Sequence, residues 1–159
     1  MKRALLLALS LAAVAGCGGG PEGKPLTKTE LIRRGDAICA KARQKGEELR
    51  RKAPAQSPVD PTASDETVRR AGPVLQQLSD NVGDVRSGLA ALNPPRQVEK
   101  RWSRMLEDLD AVADKLHGTA EAAAGVDRQG VVDRYSEALR LNRKVSSFET
   151  AYGFQVCGS

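Results

Sequence analysis

The stretch VRRAGPVLQQLSDNVGDVRSGLAAL, residues 68–92, decides the fold. Val68, Ala71, Leu75, Leu78, Val82, Val85, Leu89 and Leu92 recur at spacings of three and four. That period puts one apolar seam along a helix, as in a bundle or coiled coil. The expected helix covers about 62–92. Gly72-Pro73 interrupts it, because proline lacks an amide donor and clashes with the preceding turn. A kink is expected there, or a short helix followed by a longer one starting at Pro73.

Downstream, Val98, Trp102, Met105, Leu109, Val112, Leu116, Ala120 and Ala123 repeat the pattern. Asn93 can cap this third helix, and Pro94 suits a first helical position. Gly125-Val126-Asp127 breaks it, and Asp127 can cap the fourth. Val131, Tyr135, Ala138, Leu141, Val145, Phe148 and Tyr152 mark that helix's inner face, with Gly153 a natural left-handed terminator. Upstream, Thr27 and Glu30 have capping-box spacing. Leu31, Gly35, Ile38, Ala42 and Leu49 follow with helical period, and Arg50-Arg51-Lys52 suits a helix C-terminus. Ala53 to Pro61 holds three prolines and reads as a loop. Four helices with mostly short connections predict an all-α, up-down-up-down four-helix bundle, in which the first and last helices are neighbours. Aromatics are only 3 % of the chain, so Ala, Leu and Val fill the core, which favours close helices over a sheet.

The N-terminus sets location. Lys2 and Arg3 precede an apolar run of about twelve residues, against roughly twenty for a membrane-spanning helix. Small residues and Cys17 follow, and Ala-Gly-Cys resembles a bacterial lipobox. Residues 1–16 are therefore expected to be a lipoprotein signal peptide, Cys17 the acylated residue, 17–26 a flexible tether and 27–159 the folded domain. The protein is expected to be exported and held by lipid on the outer face of the bacterial cytoplasmic membrane. Cys39 and Cys157 remain, an even pair in an oxidising compartment, and predict a disulfide. Cys39 lies about 15–18 Å up the first helix. Four extended residues beyond Gly153 span up to roughly 14 Å, so a tail that reverses at Gly153 and climbs the groove reaches it.

The net charge is +5, and loss of residues 1–16 would leave +3. That is too little for nucleic-acid binding. One histidine excludes a His-containing di-iron site, and Asp114-x-x-His117 alone makes no metal centre. No Ser-His-acid set stands out, and Glu47-Glu48 and Asp108/Asp110 read as solvated faces. Arg34-Gly35-Asp36 spells an integrin tripeptide, but inside a helix with Gly35 facing the core. No cofactor, no metal and no enzymatic activity are expected, and the protein is expected to be a monomer. In the up-down arrangement Arg33, Arg34, Arg96, Lys100, Arg101 and Arg104 gather at the tether end. They form a candidate face for anionic lipid headgroups.

Three features together, the Ala-Gly-Cys17 lipobox, Gly35-Asp36-Ala37-Ile38-Cys39 and Tyr152-Gly153-Phe154-Gln155-Val156-Cys157-Gly158, resemble a group of small lipoproteins from high-GC actinobacteria. The resemblance spans essentially the whole mature chain. It implies the location and the disulfide, and no catalytic or binding residue. The expected function is a non-enzymatic interaction or accessory module that presents a helical face to an envelope protein or wall component. The alternative is a carrier for a small apolar ligand in the bundle core, near Leu116, Ala120 and Ala123.

Overall fold

Thr27 accepts a bond from the Glu30 amide at 3.2 Å and opens α1, Lys28–Lys52. Ser64 accepts from the Thr67 amide at 3.1 Å and opens α2, Asp65–Ala90. The third helix, α3, is Glu99–Ala124, and α4 is Arg128–Tyr152, opened by Asp127 accepting from the Gly130 amide at 2.9 Å. These elements come from a computed structural model that describes residues 23–158. The expected signal peptide, the expected acylation site Cys17 and the expected tether as far as residue 22 lie outside the described residues.

Three expected boundaries shift. Thr62 does not begin α2; it is held in the loop, its amide donating to Asp60 Oδ1 at 2.8 Å. Gly72-Pro73 does not split the helix, which runs as one element through Pro73. Asn93 and Pro94 do not begin α3. Asn93 Nδ2 instead donates to the Gly23 carbonyl at 2.7 Å, and the Asn93 carbonyl accepts from Leu26 at 2.8 Å. The connection is stitched to the entering chain, and α3 starts after Val98 with no side-chain cap.

The helices pack in sequence, α1 on α2, α2 on α3 and α3 on α4. Ser79 Oγ donates to the Ala113 carbonyl at 2.8 Å across the α2–α3 contact. Asn81 Nδ2 donates to the Ala42 carbonyl at 3.0 Å across α1–α2. Both buried polar groups are thereby satisfied. Gly72 lets α2 approach α3 closely, since a Cβ there would stand 3.3 Å from the Ala120 carbonyl oxygen.

Direct packing of α1 against α4 is replaced by the tail. Gly153 takes φ 111°, and the amides of Gly153 and Phe154 return to Thr150 and Glu149. The chain reverses and climbs beside α1. Phe154 lies on Gly35, where any Cβ would overlap its ring. Asp36 then accepts from the amides of Gln155, Val156 and Cys157 at 2.9–3.2 Å. Cys157 closes the expected disulfide with Cys39. The tail is thus a fifth strip of structure lying in the first–fourth groove.

Candidate functional site

The tail fills only the half of the groove nearest the tether. Beyond it the seam between α1 and α4 is open and apolar. One depression of about 210 Å³ lies between Leu49 and Ala53 of α1, Leu75 and Leu78 of α2 and Tyr135 of α4. A second of about 150 Å³, between α2, α3 and α4, shares Leu78 and Tyr135 and continues over Val82, Leu116 and Leu139. Leu139 is 44 % exposed and Val132, one heptad earlier on α4, is 38 % exposed. They are the only large apolar side chains to stand out among the described residues. Of the three residues expected to line a cavity, Leu116 reaches this seam. Ala120 and Ala123 are buried against Ala71, Val68 and Val131.

The tether end is a separate surface. Leu26, Lys28, Pro95, Arg96, Val98 and Tyr152 line a depression of about 560 Å³ where α1 and α3 begin and α4 ends. The predicted basic residues lie at this end and are exposed. They are not equivalent. Arg33 and Arg34 both bind Glu30, at 2.7 and 2.6 Å. Those hydrogen bonds, Arg33 first, hold the Glu30 carboxyl down at about 2. Arg101 lies 5.1 Å over the Phe148 ring and Lys28 5.1 Å over Tyr152, contacts that hold a cation on an aromatic face. Arg96, Lys100 and Arg104 take part in no ion pair among the described residues.

A third place was not foreseen. Glu149 is 4 % exposed, inside α4. A carboxyl oxygen lies within 4.8 Å of the sulfurs of both Cys39 and Cys157. No hydrogen bond or ion pair to this carboxyl occurs among the described residues. Burial, and then the nearby Asp36 charge, push it up to about 7. Its spacing, four after Val145 and three before Tyr152, fits the apolar stripe, but Phe148 fits it as well and masks the acid. Around it Trp102 stacks on Phe154, and Phe148 stacks on Tyr152. The Trp102 Nε1 is buried without a partner.

His117 is on the surface, with Nδ1 2.7 Å from Gln76 Oε1. The Arg34-Gly35-Asp36 tripeptide is helical, Gly35 under Phe154 and Asp36 committed to the tail. No helix among the described residues is long and apolar enough to cross a membrane. The disulfide indicates an oxidising, extracytoplasmic compartment. Comparison with protein-family models, with curated proteins and with solved structures finds no match to this chain.

Proposed function

We propose that this is a lipid-anchored, non-enzymatic interaction module of the cell envelope, whose working surface is the open apolar seam between α1 and α4. The observation that carries the reading is the seam itself, with Val132 and Leu139 left facing outward along its edge. Covering the part of each side chain still exposed, 38 % of Val132 and 44 % of Leu139, would contribute about 1 kcal/mol apiece against a partner. An amphipathic helix laid into a groove uses this spacing of anchors. The seam lies in the half of the bundle away from the tether. A partner can therefore reach it while Lys28, Arg96, Lys100 and Arg101 face anionic headgroups, each worth about 1 kcal/mol at such a surface.

The test is a photo-crosslinking residue placed at Leu139 and, as a control, at Lys144 on the α3 side of the same helix, in living cells. A discrete adduct from position 139, lost on Val132→Asp, supports the module. No adduct, or the same adducts from both positions, removes it. The small-ligand reading draws on the same seam, because its two depressions are lined by apolar groups. A co-purifying apolar molecule, displaced by Leu78→Trp and seen by native mass spectrometry, would put the carrier in place of the module. Flotation of the unlipidated domain with anionic but not zwitterionic vesicles tests the orientation. Equal flotation would leave the basic end with no lipid role.

A further inference from the structure

Glu149 has no structural debt to settle where it stands. A buried carboxyl without a partner costs stability, and an apolar residue at this position would continue the stripe. What it adjoins is a disulfide whose two cysteines are only half-buried. We propose that Cys39–Cys157 is a reversible redox couple and that Glu149 is the proton donor to the sulfur released when the bond opens.

The step balances with a dithiol as reductant. Its thiolate attacks Cys39 Sγ, a new S–S bond forms, and the Cys39–Cys157 bond breaks with its electron pair left on Cys157 Sγ. The Glu149 carboxyl gives that sulfur its proton. The second thiolate of the dithiol then attacks the mixed disulfide, closes a cyclic disulfide and releases Cys39, which is protonated in turn. Two electrons and two protons pass from the dithiol to the protein, and Glu149 regains its proton from solvent. A protonated donor beside the leaving sulfur matters because exchange is fastest when the leaving thiolate is stabilised.

Three features make the couple reversible. Asp36 holds the amides of Gln155, Val156 and Cys157 independently of the S–S bond. Phe154 remains seated on Gly35, within the aromatic cluster. The Gly35 carbonyl stands 3.4 Å from Cys157 Sγ, placed to accept from the thiol once it forms. The reduced cysteines are therefore kept side by side. Among the described residues the charge that bears on Glu149 is that of Asp36 on α1; the bridged cysteines adjoin it, and Arg43 of α1 donates to the Val156 carbonyl at 3.0 Å. The core cluster there receives the uncharged Trp102 and Met105 from α3.

The experiment measures reduction of the full-length protein by dithiothreitol from pH 5.5 to 8.5, with rates divided by the thiolate fraction. Wild type should slow progressively above about pH 7, as the donor loses its proton. Glu149→Gln should be slower by about tenfold or more at pH 6 and flat with pH. Reduced wild type should reoxidise with oxidised glutathione to the intramolecular bond. Identical rates and profiles in the two proteins would overturn the proposal. So would a wild-type rate that climbs above pH 7, which would mean that ionisation merely loosens the tail, or mixed disulfides that persist on reoxidation. The wild-type profile stands alone as a test should Glu149→Gln fail to fold.

Discussion

Glu149 gives a pH dependence of opposite sign to that of a paired carboxylate. Its folded value, about 7, lies above the ordinary 4.5. Below pH 4.5 the group is protonated in both states and adds no pH dependence. Between 4.5 and 7 the unfolded chain ionises while the folded one does not, so stability falls, by about 3 kcal/mol in all. Urea midpoints at pH 4.5 and 7.5 should show this loss in wild type and its absence in Glu149→Gln; equal losses would assign it to other groups. Gly35→Ala should cost about 1–3 kcal/mol, because the new methyl meets the Phe154 ring in a filled site. A thermal melt within a degree of wild type would show that the ring can move aside. At this scale the sequence disclosed caps and core residues well: Thr27, Asp127, Gly153, Trp102 and Met105 all act as their spacing indicates. It hid Glu149, since Phe148 satisfies the apolar period next door and leaves the acid looking like a flank.

The helix ends teach a different lesson. The α3–α4 junction is a Schellman-type ending, with Asp127 N bonded to Ala122 O at 2.8 Å and Val126 N to Ala123 O at 3.1 Å. Its left-handed residue is Val126, φ 57°, and not the neighbouring Gly125. A β-branched side chain is strained there. Val126→Gly should therefore raise stability by about 1 kcal/mol, read as a higher melting temperature; a lower one would show that the half-buried valine contributes more by packing than it loses by strain. Sequence alone favours Gly125 for this role, and only the hydrogen-bond register moves it by one residue. The start of α3 was equally opaque. Asn93-Pro94 has the composition of a cap, but the Asn93 side chain is spent on Gly23, a partner distant in sequence.

At the scale of the molecule, periodicity tells which face of a helix is apolar and not what covers it. That is why four helices, the Cys39–Cys157 bridge and the tail that climbs from Gly153 to make it were legible, while the Asp36 and Gly35 contacts that seat the tail were not. The open seam was not legible, since only the structure shows that the tail ends before filling the gap. The bridge joins residues 118 apart. In the chain-entropy account such a loop contributes roughly 4–5 kcal/mol. The double variant Cys39→Ser/Cys157→Ser should therefore melt lower by on the order of 10 °C. An unchanged melt would mean that Asp36 and Phe154 alone hold the tail.

The same bridge fixes how the domain bears load. Tension entering at Gly23 can peel only the opening turns of α1 before it meets Cys39. From there the force crosses the sulfurs to Cys157 and reaches Leu139 through the end of α4. Everything from Ala40 to Ala138 hangs slack on the longer branch, including α2, α3 and the floor of the seam. Pulled between its tether and a partner on that seam, the oxidised molecule behaves as a short hook, and reduction turns the hook into a rope.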